Sequence, residues 1–120
     1  MFKQTTSFKD RQQGSCRLLQ KYPDRIPVII EKNNKKNRKY KQNTLQQLPK
    51  NKFLVPKKLT IGQFVYVIKQ KLELRPEEAI FLFINNTLPK VTDRMIDIYD
   101  VHKDIDGYVY ITYFNENTFG

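Results

Sequence analysis

The chain of 120 residues is 39% hydrophobic and 28% charged, with eight Phe, seven Tyr and a formal net charge of +10, which is material for one core and one domain. No apolar run approaches the roughly 18 residues of a membrane-spanning helix, and Met1-Phe2-Lys3-Gln4-Thr5-Thr6 contains no stretch of signal-peptide length, so a cytosolic protein is expected. One Cys and one His exclude an internal disulfide and a four-ligand Cys/His zinc site; His102 has no paired nucleophile and the four glycines are scattered singly, so neither an enzyme nor a metal or cofactor is expected.

Ser7-Phe8-Lys9-Asp10 has the Ser-x-x-acid form of a helix N-cap, with Ser7 placed to accept from the backbone N–H of Asp10. The helix is predicted to run to about Tyr22, where Pro23 ends it. Phe8, Ser15, Leu18, Leu19 and Tyr22 form one narrow apolar face, with Lys9, Arg11, Gln12, Arg17, Gln20 and Lys21 outward. Gly14 lies mid-helix and costs about 0.5–1 kcal/mol relative to Ala, so this helix depends on docking. Ile26-Pro27-Val28-Ile29-Ile30 is a β-branched run of the kind that makes a covered strand, with Pro27 tolerable near its start or at an edge.

Lys32, Lys35, Lys36, Arg38, Lys39, Lys41, Lys50 and Lys52 then follow with no intervening Asp or Glu, which leaves a net of only about +2 for the rest of the chain. The segment offers little to bury beyond Tyr40, Leu45, Leu48 and Pro49, so residues 33–51 read as a basic, solvated loop without fixed structure. Two readings stand: a solubilising insertion, or a patch for nucleic acid or anionic membrane. No aromatic-glycine RNA-binding signature accompanies it.

Lys52-Phe53-Leu54-Val55-Pro56 is short, closed by proline and fringed by lysines, the devices that protect an edge strand. Thr60-Ile61-Gly62-Gln63 is a capping box, and Ile61, Phe64, Val65, Ile68 and Leu72 follow at helical spacing. Ile80-Phe81-Leu82-Phe83-Ile84 is a second strand of buried type, with Asn85-Asn86 turning out of it. Met95, Ile98, Tyr99 and His102 repeat as a short helix, and Asp106-Gly107 turns into the strand Tyr108 to Phe114, which alternates Tyr/Thr/Phe with Val/Ile/Tyr. Cys16 and His102 read as structural. The order of elements predicts an α+β fold: a β-grasp with a four-stranded mixed sheet over residues 25–114, a helical extension at 1–24 and a flexible tail at 115–120.

From Arg25-Ile26-Pro27-Val28-Ile29-Ile30-Glu31-Lys32 onward the chain resembles the autophagy-related protein 8 family of ubiquitin-like modifiers, related to the gamma-aminobutyric-acid-receptor-associated proteins. The likeness continues through Phe53 to Pro56, Leu59 to Ile68, Ala79 to Pro89, His102-Lys103-Asp104, Asp106-Gly107 and Glu116 to Gly120, missing mainly the basic loop. It implies a modifier whose Gly120 carboxyl is activated as a thioester and joined to phosphatidylethanolamine. Its partners would be the activating and conjugating enzymes, a deconjugating cysteine protease, cargo receptors and the autophagosomal membrane. The protein would be cytoplasmic until lipidated. A glycine suits passage through narrow enzyme channels because it lacks a β-carbon.

The resemblance also implies a peptide-docking edge for short aromatic-x-x-aliphatic segments that add a strand. Its aromatic pocket would comprise Leu18, Pro27, Ile29, Lys52, Leu54 and Tyr108, and its aliphatic pocket Phe53, Val55, Pro56, Leu59, Phe64 and Val67. Arg25, Lys52 and Lys71 would attract acidic flanking residues, and Phe81, Leu82 and Phe83 match a second docking surface. The chain departs from the family at Gly14, where an acidic residue is frequent near the floor of the aromatic pocket. Two other readings are conjugation to protein amines and a nucleic-acid or membrane-binding module acting through residues 32–52.

Overall fold

The computed structural model describes residues 1–33 and 45–115. The elements in chain order are α1 (Phe2–Thr5), α2 (Phe8–Lys21), β1 (Arg25–Lys32), β2 (Lys52–Pro56), α3 (Ile61–Lys71), β3 (Ile80–Phe83), α4 (Met95–His102) and β4 (Val109–Asn115). The strands form one mixed sheet in the order β2-β1-β4-β3. β1 and β4 run parallel at its centre, flanked by the antiparallel β2 and β3. This is the predicted ubiquitin-like β-grasp, with helices added at its N-terminus.

Strand alternation divides the sheet into two faces. Ile26, Val28 and Ile30 of β1, Val55 of β2, Leu82 of β3 and Val109, Ile111 and Tyr113 of β4 join Ile61, Phe64 and Ile68 of α3 and Met95, Ile98 and Tyr99 of α4 in one core. Ile29 and Tyr108 are equally buried but belong to the opposite face, where α2 packs on β1 and Phe2 of α1 lies against Tyr108.

The local chemistry matches the sequence at the caps. Ser7 accepts from the Asp10 N–H at 3.1 Å, and both halves of the capping box form at α3, with Thr60 accepting from Gln63 N and Gln63 from Thr60 N. Pro27 sits within a central strand, near its start. The Ile30 N–H donates towards β2, to Asn51 O, so by alternation the Pro27 nitrogen is directed towards β4, and pairing with β4 begins only at Val28. The missing N–H therefore removes no ladder bond.

Four expectations need correction. β3 is the second edge of the sheet and not a strand covered on both faces: Ile80 and Leu82 are in the core while Phe81 and Phe83 are half-exposed. Arg11 does not point outward; its Nε donates to Asp106 at 2.8 Å, with 11% of its side chain and none of the Asp106 side chain exposed. Cys16 is exposed and not part of the packing. The basic loop is fastened at its C-terminal end, where Leu45 joins the core, the Tyr113 hydroxyl donates to Gln46 O at 2.6 Å and the Leu48 N–H donates to the same hydroxyl at 3.0 Å. Lys35, Lys36, Arg38, Lys39 and Lys41 lie outside the described residues.

Candidate functional site: a two-sided sheet edge

Among the described residues β2 has a single neighbour, β1, so its other side is a sheet edge. The register sets Pro27 opposite Leu54 and Ile29 opposite Lys52, which gathers four of the six predicted aromatic-pocket residues on one face. Tyr108 joins them through Lys52, whose Nζ lies 5.7 Å from the Tyr108 ring centre. Leu18 is half-buried on α2, one turn beyond Gly14, and a Cβ built on Gly14 would stand 2.9 Å from the Tyr108 hydroxyl. The aromatic set therefore lies between the N-terminal helices and the sheet.

The aliphatic set lies on the other face of the same strand. Val28 and Ile26 stand opposite Phe53 and Val55; the Phe53 ring meets Phe64 edge to face at 6.2 Å, and Leu59 packs against the same cluster. Val67 is half-buried one turn along α3 from Phe64, and Pro56 is exposed at the end of the strand. Val55 and Phe64 are themselves core residues, 3% and 1% exposed, so they form the pocket's floor rather than its mouth.

The two faces have a consequence for ligand spacing. In an extended segment residues i and i+3 differ by an odd number and point to opposite faces. A strand added beside β2 with an aromatic-x-x-aliphatic sequence thus sends its aromatic residue towards α2 and its aliphatic residue towards α3. Arg25 lies at the same edge, its guanidinium donating to Leu54 O at 3.3 Å, while Lys71 is exposed in the last turn of α3.

Phe2 was not foreseen here. Its ring meets Tyr108 edge to face at 5.4 Å, Lys52 Nζ lies 5.2 Å from its centre, and its backbone N–H donates to Glu31 Oε2 at 2.8 Å. An aromatic side chain from the protein's own N-terminus is thereby seated on two members of the aromatic set. Apolar periodicity gives no warning of this, because α1 is a single turn without a side-chain cap.

The helices carrying that ring are held by a polar cluster around Asp106. Its carboxylate accepts from Arg11 Nε, from the Tyr108 N–H at 2.9 Å and from the Tyr110 hydroxyl, and its backbone O accepts from the Ser15 hydroxyl. Arg11 also donates to Thr6 O at 2.7 Å, and Lys3 pairs with Asp104 at 2.6 Å. Burial, followed by the hydrogen bond to Asp106, pushes the Tyr110 phenol far above its ordinary range. Burial alone would raise Asp104, but the Lys3 ammonium and the Asp106 N–H overcome it and hold that carboxyl below its usual value.

At the far edge, Phe81 and Phe83 stack on Phe114 with ring centres 6.0 and 4.6 Å away, whereas Leu82 faces the core. The three residues of the predicted second surface do not share a face. A cleft of about 640 Å³ lined by Met1, Asn33, Phe83, Asn85, Asn86, Tyr110 and Thr112 lies beside them. His102 Nδ1 lies 3.0 Å from the Asn85 amide nitrogen. Among the described residues no group of His, Cys, Asp or Glu could hold a metal, and no helix is long and apolar enough to cross a membrane. Gly120 lies outside the described residues.

A β-grasp sheet carrying N-terminal helices belongs to the ubiquitin-like fold class. The family model "Autophagy protein Atg8 ubiquitin like" matches residues 10–120. "Autophagy-related protein 8" of Schizosaccharomyces pombe is 50% identical over 99% of this chain and 93% of its own length, and "Autophagy-related protein 8a" of Arabidopsis thaliana is 47% identical over 99% and 92%. The crystal structure of Trypanosoma brucei ATG8 superposes with a TM-score of 0.88 at 37% identity, covering 98% of this chain and 96% of that one. The chain belongs to the Atg8 family of ubiquitin-like autophagy proteins.

Proposed function

We propose that this protein is a modifier and adaptor in autophagosome formation, joined through Gly120 to phosphatidylethanolamine and recruiting cargo receptors through the β2 edge. Family membership and a matched region that extends to residue 120 support the conjugation chemistry. The activating enzyme would join the Gly120 carboxyl to its thiol at the expense of a nucleoside triphosphate, the acyl group would pass by thioester exchange to the conjugating enzyme and then to the lipid amine with release of that enzyme's thiol, and a deconjugating cysteine protease would hydrolyse the amide. Two acyl chains then anchor the protein stably, each buried methylene contributing about 0.8 kcal/mol. The protein would be cytoplasmic when free and on the autophagosomal membrane when lipidated.

The observation that carries the adaptor reading is the placement of the two side-chain sets on opposite faces of one exposed strand edge. Backbone pairing supplies affinity and the two pockets supply specificity. Filling each pocket contributes on the order of 1.5–3 kcal/mol, which after ordering costs corresponds to micromolar binding. Arg25, Lys52 and Lys71 would draw acidic flanking residues.

Purified conjugation enzymes with liposomes containing phosphatidylethanolamine test the first part: the wild type should form a lipidated product and Gly120→Ala should not. Product on protein amines instead of lipid would overturn the lipid reading. For the second part, Leu54→Arg should abolish binding of an aromatic-x-x-aliphatic peptide, since it places a charge among apolar groups. Retained affinity would refute the pocket assignment.

A further inference from the structure

Tyr108 is wholly buried, yet its hydroxyl is the one buried side-chain polar atom among the described residues without a hydrogen-bond partner. Buried hydroxyls are seldom left so, and the ring's position explains it. The hydroxyl oxygen reaches the backbone of α2 at Gly14, where no side chain intervenes and a Cβ would stand only 2.9 Å away. In the aromatic set Leu18, Pro27, Ile29 and Leu54 offer apolar side chains, and Lys52 lies over the ring, its Nζ 5.7 Å from the ring centre. Phe2, now packed edge to face on the same ring, has no polar side-chain atom with which to pair it.

We propose that the Tyr108 hydroxyl is a specificity determinant of the aromatic pocket, accepting a hydrogen bond from the indole N–H of a Trp residue in the incoming peptide and so selecting Trp over Phe. This rests on the docking reading above and deepens it. A tyrosine hydroxyl has two lone pairs and a rotatable proton, so it can accept from an indole without losing another bond. The indole N–H is the edge donor that a Phe ring lacks. One neutral hydrogen bond corresponds to a factor of about three to ten in affinity.

The test titrates three peptides of identical flanking sequence against the full chain. They carry Trp, Phe, or benzothienylalanine, which matches Trp in size but has sulfur in place of the N–H. The wild type should bind the Trp peptide about three- to tenfold more tightly than the benzothienylalanine peptide, and Tyr108→Phe should bring that ratio close to one. A ratio that is already one in the wild type, or that survives Tyr108→Phe, overturns the proposal and leaves the docking reading standing. If no peptide binds, or Leu54→Arg does not weaken binding, the docking reading falls and this proposal falls with it.

Discussion

Phe2 and a peptide's aromatic residue cannot occupy the same ground above Tyr108 and Lys52, so removing the Phe2 ring should strengthen peptide binding. The ring is half-buried, and half of a fully buried Phe corresponds to about 1 kcal/mol. The edge-to-face contact with Tyr108 at 5.4 Å adds about 0.5–1.5 kcal/mol, and the Lys52 ammonium 5.2 Å from the ring centre adds about 0.5–1 kcal/mol. Fixing the few residues of α1 opposes these gains at about 1–2 kcal/mol per backbone residue, partly offset by the Phe2 N–H bond to Glu31 and the Lys3 ion pair. Gains and costs are of comparable size, and since the ring is found seated the balance lies on the favourable side, a bias on the order of 1 kcal/mol.

With such a bias the open pocket is populated roughly one-tenth of the time, and apparent affinity is reduced by that fraction. Phe2→Ala should therefore tighten an aromatic-x-x-aliphatic peptide about tenfold, measured by calorimetric or fluorescence-anisotropy titration. Deletion of Met1 to Thr5 should do the same. Weaker binding by Phe2→Ala would show that Phe2 is a wall of the pocket for the ligand to lean on, and would refute the competition argument.

Three further outcomes follow from the same contacts. Asp106→Ala removes a wholly buried acceptor of three hydrogen bonds and should cost about 3 kcal/mol in urea unfolding, with the N-terminal helices the first segment to lose hydrogen-exchange protection. Gly14→Ala gains up to about 1 kcal/mol of helix propensity but sets its Cβ 2.9 Å from the Tyr108 oxygen; it should be neutral or destabilising alone and stabilising in a Tyr108→Phe background, a coupling that a thermal double-mutant cycle detects. Tyr99, Tyr108, Tyr110 and Tyr113 are all raised above the ordinary tyrosine value, chiefly by burial. The folded state therefore holds protons that the unfolded chain releases above about pH 10. Their contribution is complete below that pH and is lost as the solution becomes more alkaline, so denaturant midpoints should fall above pH 10.

What could be read from the chain was what neighbouring residues decide among themselves. The Ser7 and Thr60 caps, the apolar stripe of α3 and the alternation of β4 are all set within a few positions, and each is found where local chemistry placed it. Lysines and a terminal proline identified β2 as an edge for the same reason. The inward turn of Arg11 was invisible because its partner Asp106 is 95 positions away; periodicity assigns an arginine on a polar stripe to solvent and cannot see a buried carboxylate arriving from another element. β3 misled in the opposite sense, since an unbroken apolar run looks doubly covered, whereas one face is served by three rings, Phe81, Phe83 and Phe114, packed on each other.

The same distinction separates the two halves of the candidate site. The aliphatic side is built from core: Val55 and Phe64 cannot move without disturbing α3, so that pocket is fixed by folding itself. The aromatic side is built where α1 and α2 are tied down by a few polar contacts, Arg11 and Ser15 to Asp106 and Lys3 to Asp104. Asp104 is held ionised by Lys3, so its contribution is present above the ordinary carboxylate range and is lost as pH falls below about 4. Acid should therefore release α1 and unseat Phe2 from the aromatic pocket while leaving the aliphatic one intact. Binding of the full motif should therefore tighten as the pH falls below about 4, a peptide whose aromatic residue is replaced by Ala should show little of that gain, and equal changes for both peptides would show that the two pockets are not independently supported.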